Sequence, residues 1–113
     1  MINKPTFKQL QKIPNLYSQE NVKDKKIYMK FFVGPYTWYV AEINHETTPT
    51  GYTPYTLFFT YKVDERTQEG SWGYTPLDYL LNFRIGPFEV DRDLYEVTVY
   101  SPKKMSEIKR LKI

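Results

Sequence analysis

His45 is the single histidine of a 113-residue chain that has no cysteine. One imidazole beside Glu42 and Glu46 offers too few donors for a zinc or other transition-metal site, which takes three or four side chains. Without thiols there are no disulfides, thiolate clusters or cysteine nucleophiles. No metal and no cofactor is therefore expected. Gly70-Ser71-Trp72-Gly73 has a serine among glycines, but it lacks the G-x-S-x-G spacing of a nucleophile elbow and follows a charged loop rather than a buried strand. Neither a phosphate-cradling G-x-x-x-x-G-K-[ST] loop nor a G-x-G-x-x-G turn occurs. Glu89, Asp91 and Asp93 alternate with Val90 and Arg92. Two carboxylates can divide acid and base roles when burial separates their pKa values, but alternating charges ahead of a strand serve more commonly as a solvated sheet edge. The residue types point to a non-enzymatic protein.

Two other sets of side chains suit binding. Aromatics make up 18% of the chain, with eleven Tyr, seven Phe and two Trp, and several fall at expected turns and short strands. Large rings bury much area for few rotatable bonds, so Tyr36, Trp38, Tyr52 and Trp72 are candidate partner contacts, either for a protein or for stacked bases. The other set is Lys103, Lys104, Lys109, Arg110 and Lys112, the densest positive charge in the sequence. The net charge of +3 conceals segregation. Residues 1–30 carry seven Lys against Glu20 and Asp24, and residues 101–113 carry five basic residues against Glu107. The middle carries Lys62, Arg66, Arg84 and Arg92 against ten acids. Basic ends can dock on an acidic middle or meet an outside anion.

Positioning these residues falls to a chain whose length and 41% hydrophobic content suit one domain over 1–113. Phe7, Leu10 and Ile13 share one face of a helix over 6–13, which Pro14 ends. Residues 26–33 alternate, with Ile27, Met29, Phe31 and Val33 on one side, and Gly34-Pro35 turns the chain into a partner strand over 37–43. Residues 44–54 read as a loop. A third strand spans 55–63, where Leu57-Phe58-Phe59 implies burial on both faces. A charged loop leads to a short strand over 71–74. Thr75-Pro76 then starts a short helix through Asn82, with Leu77, Leu80 and Leu81 inward. A last strand is expected over 94–100. Met105, Ile108 and Leu111 recur every third residue, which predicts a basic amphipathic C-terminal helix. The expected fold is α+β: an antiparallel sheet of four to five strands, an N-terminal helix, a short helix near 75–82 and the C-terminal helix. The first thirty residues lack the apolar stretch of a secretory signal, and no run approaches a membrane span, so a cytoplasmic protein without a membrane partner is expected.

Several motifs in order resemble one family: Ile13-Pro14 with Leu16-Tyr17-Ser18, Tyr28 with Lys30-Phe31-Phe32, Trp38-Tyr39-Val40 with Glu42, and Leu57-Phe58-Phe59 with Tyr61. Gly73-Tyr74 with Leu77, and Ile85-Gly86 leading to Val90 and Arg92-Asp93-Leu94-Tyr95, continue the pattern. Over roughly residues 10–95 the chain resembles a family of small bacterial proteins of unknown function, carried on plasmids, phages and integrative elements and sometimes associated with antirestriction-type domains. The resemblance implies a setting and no catalytic residue. The stretch 47–54 and the tail after Tyr100 depart from the pattern and inherit no role. The expected function is a protein-binding module of a mobile genetic element that inhibits a host protein, such as a defence nuclease, in the antirestriction or anti-CRISPR manner. The competing class is a nucleic-acid-binding protein that uses its basic ends and exposed rings.

Overall fold

The alternating stretch 26–33 forms two strands instead of one: β1 (Lys26–Ile27) and β2 (Met29–Val33) flank Tyr28 and belong to different sheets. They are seen in a computed structural model that describes residues 1–48, 51–53 and 55–108. A single helical turn, α1 (Phe7–Leu10), precedes them. After them come β3 (Tyr36–Ile43), β4 (Thr47–Thr48), β5 (Gly51–Tyr52), β6 (Leu57–Asp64), β7 (Glu69–Pro76) and α2 (Leu77–Asn82). The last elements are β8 (Arg84–Ile85), β9 (Phe88–Glu89), β10 (Asp91–Arg92), β11 (Lys103–Lys104) and a 3-10 turn over Met105–Glu107. Five strands make one antiparallel sheet in the order β10-β2-β3-β6-β7, and β1-β11, β4-β5 and β8-β9 are two-residue ribbons. This is the expected α+β arrangement with an antiparallel sheet and short helices. Among the described residues no helix is long and apolar enough to cross a membrane.

Local chemistry sets the hairpins. Val33 pairs with Tyr36 across Gly34-Pro35. Gly34 takes a positive φ of 54°, which suits the first central position of a two-residue hairpin turn, while the proline ring holds the second at negative φ. Both faces of the resulting sheet are covered. On the helix face, Met29, Phe31 and Val33 of β2, Trp38 and Val40 of β3 and Phe58 of β6 pack with Leu10, Ile13, Leu77 and Leu80. The rings of Phe31 and Phe58 lie 5.7 Å apart. On the opposite, ribbon face, Tyr39, Ala41 and Val63 are roofed by Ile27, Val97, Met105 and Ile108, with Phe59, Tyr61 and Trp72 packed against them. This two-sided cover is why Phe58 and Phe59 can follow one another, each buried or half-buried against its own layer. Gly70 serves the ribbon face by its lack of a side chain, because a Cβ there would stand 2.7 Å from the Tyr61 ring.

β3 changes phase along its length. Val40 pairs with Thr60, but the next paired residue is Glu42, opposite Phe59, so Ala41 is an extra residue in the ladder. The bulge leaves Ala41 with the ribbon-face cluster and returns Ile43 to the helix-face core. Glu42 is thereby placed opposite Phe59 at the ribbon face instead of in the helix-face core, the re-aiming that bulges commonly perform.

Five expectations are corrected. The N-terminal helix over 6–13 is one turn: Thr6 and Gln9 form a capping box, but Lys12 and Ile13 N–H groups already bond three residues back, to Gln9 and Leu10, and Pro14 follows. Residues 94–100 form no strand, because the Asp93 carboxylate accepts the N–H groups of Tyr95, Glu96 and Val97, a local partner that competes with a ladder. The fifth strand place goes to β10. The C-terminal helix is replaced, in its described part, by β11 paired with β1 and by the 3-10 turn. Asp24 captures the Ser106 N–H and hydroxyl there. The remainder of that expected helix, 109–113, lies outside the described residues. The loop over 44–54 contains the β4-β5 ribbon, and the N-cap of α2 is Pro76 rather than Thr75, without a side-chain hydrogen bond.

Candidate functional site

The bulge in β3 brings Glu42 to the floor of a cleft of about 320 Å³ on the ribbon face, lined by Tyr17, Glu20, Lys25, Glu42, Phe59, Trp72 and Tyr74. Volumes of this order suit one side chain or a small ligand. Glu42 is only 3% exposed. Its two carboxylate oxygens accept the N–H groups of Tyr17 at 2.8 Å and Gln19 at 2.7 Å. The segment that provides those donors is tightly held. Leu16 N–H bonds to Ile43 carbonyl, and Ile43 N–H to Pro14 carbonyl. The Gln19 amide donates to the carbonyls of Lys26 and Ala41 and accepts from Lys26 N–H. Tyr17 itself sits at φ +70°, a region in which a non-glycine residue is strained and which such a web of bonds must impose.

The walls are aromatic. Across β6 and β7, Phe59 stacks on Trp72 with centroids 5.0 Å apart and planes 12° from parallel, while Tyr74 lies 5.2 Å from Phe59. Tyr61 meets Trp72 edge-on at 5.4 Å. Tyr17 and Tyr74 form the rim, 62% and 50% exposed. The Tyr74 phenol is held above its usual range, chiefly by a hydrogen bond with the Tyr17 side chain, then by partial desolvation and by the carboxylates of Glu42 and Glu20. Lys25 closes one side. Its ammonium donates to the Val22 carbonyl at 2.6 Å and lies 5.8 Å from the Trp72 centroid.

The residues singled out from sequence are separated by the sheet. Trp38 is 1% exposed in the helix-face core, where it meets Tyr79 and Phe83 edge-on. Tyr36 is half-buried on the same face, with Lys62 5.0 Å and Arg66 5.7 Å from its ring centroid. Tyr52 lies in β5. Trp72 is on the opposite face, in the cleft wall. Lys103 and Lys104 form β11, in the ribbon that covers that same face. Lys26 and Lys104 stand directly opposite each other, so the two basic ends of the sequence meet there. Lys109, Arg110 and Lys112 lie outside the described residues. Sequence reasoning passed over Tyr17, Glu20, Lys25, Glu42 and Phe59 as a group. One signal was present: Glu42 is an acid inside a run of β-formers, Thr37 to Ile43.

Of the groups considered for chemistry, His45 Nε2 lies 2.7 Å from the Ile13 carbonyl. Glu89 pairs with the Met1 amino group at 2.7 Å and Arg84 at 3.6 Å, and Asp91 accepts from Asn3. These contacts tie the N-terminal segment to the β8-β10 region. Among the described residues, no group of three His, Asp or Glu is arranged to hold a metal. No family model, curated protein or solved structure matches the chain.

Proposed function

We propose that the chain is a non-enzymatic protein-binding module that receives an extended partner segment along β7 and reads its side chains in the adjoining cleft. The observation that supports this is β7 itself. It is an eight-residue edge strand that pairs with β6 alone among the described residues, and its own Trp72 and Tyr74 wall the cleft. Pro76, at the end of the strand, has no N–H to donate, as edge positions tolerate. Glu69 is the only charged residue in β7, so the edge lacks the lysines that commonly shield such strands. Strand addition supplies main-chain hydrogen bonds, and pockets for alternate side chains supply selectivity. The resemblance to mobile-element proteins supplies the setting in which the partner is a host defence protein such as a nuclease; that part rests on the resemblance alone. The test is a photo-crosslinking residue placed at Tyr74 and, as a control near the opposite edge of the sheet, at the exposed Phe88, in cells of the native host. Protein adducts from position 74 and none from 88 are expected. Adducts from 88 with none from 74 would overturn the assignment.

One observation favours the nucleic-acid reading as a second possibility. Like charges opposite each other in a ladder are destabilising, and the Lys26–Lys104 pair is relieved by an anion lying across it. A phosphate backbone does this, with affinity that falls steeply as salt rises.

A further inference from the structure

Glu42 presents an imbalance. Buried charges are ordinarily paired, yet this carboxylate, 3% exposed, has two backbone N–H donors and no ion-pair partner within 4 Å among the described residues. Lys25, the cation nearest by lining, is engaged by the Val22 carbonyl. Glu20 adds a second, exposed carboxylate at the rim, leaving two negative charges against one positive in the cleft. Around them stand the rings of Tyr17, Phe59, Trp72 and Tyr74, whose faces are electronegative and attract cations within about 6 Å. Lys25 already exploits one of those faces at Trp72.

We infer that the cleft is a receptor for a cationic side chain, the guanidinium of arginine or the ammonium of lysine, which enters past Tyr17 and Tyr74 and pairs with Glu42 at the floor. The inference rests on the protein-binding reading above and specifies what that site selects: a partner whose chain continues from the β7 edge over the Tyr17–Tyr74 rim and presents Arg or Lys there, because Glu42 lies two strands in from β7, across Phe59 and Tyr74. The arrangement separates charge from shape. The buried carboxylate and the rings both favour a cation, an acidic side chain meets repulsion from Glu42 and Glu20, and a neutral one leaves Glu42 unpaired.

The experiment titrates the folded protein with N-acetyl-arginine amide and N-acetyl-lysine amide, with the citrulline and glutamate amides as neutral and anionic controls. The indole N–H resonance of Trp72 and the amides of Tyr17, Gln19 and Tyr74 are followed by two-dimensional NMR. One or both cations should shift these signals saturably and leave the Trp38 indole unmoved, and the stronger of the two identifies the preferred head group. Citrulline and glutamate amides should produce little change. Glu20→Gln, at an exposed position, should weaken binding by about two- to fivefold. Glu42→Gln should weaken it by more than about tenfold. Because Glu42 also accepts two backbone N–H bonds, Tyr74→Leu provides a second variant that keeps the carboxylate and removes a rim ring; it too should reduce binding. No shift with either cation, an equal response to citrulline, or undiminished binding in both Glu42→Gln and Tyr74→Leu would overturn the inference. Failure of the cations while position 74 still crosslinks a protein overturns the cation assignment alone. Crosslinking only from position 88 overturns the reading on which it rests.

Discussion

Replacing Phe58 with alanine tests the two-faced sheet most directly. Phe58 is fully buried in the helix-face core, and its ring lies 5.7 Å from that of Phe31, tilted by 39°. A Phe→Ala change at such a site removes the transfer free energy of the ring and leaves a cavity that close-packed neighbours fill only in part, for a cost of about 3–5 kcal/mol. About 0.5–1.5 kcal/mol of that belongs to the ring pair, so the Phe31→Ala, Phe58→Ala double variant should fall short of additivity by a comparable amount. With a urea dependence of about 2 kcal/mol per molar, a loss of about 4 kcal/mol moves the denaturation midpoint by about 2 M. Phe59→Ala, one residue along, removes a half-buried ring from the ribbon face and should cost on the order of 1–3 kcal/mol. A Phe58→Ala midpoint within about 0.5 M of the parent, or a larger loss for Phe59→Ala than for Phe58→Ala, would refute the assignment of faces.

Asp93→Ala removes the acceptor for three consecutive backbone N–H groups and should cost about 1–3 kcal/mol, with hydrogen-exchange protection lost first at residues 95–97. Gly70→Ala places a Cβ against the Tyr61 ring and should destabilise by roughly 1–3 kcal/mol; an unchanged thermal midpoint would show that the ring moves freely aside. The Ser106 hydroxyl and N–H hold the Asp24 carboxyl below its ordinary value, so its stabilisation is full above the unfolded aspartate pKa and is lost as pH falls through the lower folded value. Ser106→Ala should return the Asp24 titration, followed by carboxyl NMR, toward the ordinary value and flatten the acid limb of the stability curve. Lys104→Gln removes the like charge facing Lys26 together with the cation that favours the Asp24 carboxylate, so stability should change by less than about 1 kcal/mol, while any salt-sensitive binding to duplex DNA should weaken.

The hairpin strands could be read from alternation and turn chemistry because those signals are local: Gly34-Pro35 sets the β2-β3 turn, and Leu57-Phe58-Phe59 marks a strand covered on both sides. The failures share a cause in contacts between distant residues. Asp93 and Asp24 take up backbone groups through side chains, and propensity does not reveal which N–H an aspartate will find. Met105 and Ile108 have helical spacing, yet they are buried on the ribbon face from the first residue and the C-cap of a 3-10 turn, because the preceding β11 is drawn out by pairing with β1, more than seventy residues earlier. The cleft was hidden for a related reason. Strict alternation puts Glu42 on the same side as Trp38 and Val40, and only the added residue at Ala41 reverses it; Tyr17 and Glu20 join from a segment with no periodicity of its own.

That reversal bears on how the protein can change over generations. Because the bulge sets Glu42 out of phase with the core residues of the same strand, position 42 can vary its chemistry without exposing Ile43 or disturbing the Phe31–Phe58 pair. The amides of Tyr17 and Gln19 restrict the variation to side chains that still offer an acceptor, so a shift from acid to amide is the shortest route from a charge-selecting cleft to a neutral one. Loss of residue 41 would act differently. Val40, Glu42 and Ile43 would still oppose Thr60, Phe59 and Phe58, now in an unbroken ladder, with the carboxylate at the cleft and Ile43 in the core. What would go is the Ala41 carbonyl that accepts from the Gln19 side chain, one of the bonds that hold the segment donating to Glu42. The lineage can therefore retune selectivity by substitution at 42, whereas a length change at 41 bears on how firmly residues 17–19 are held.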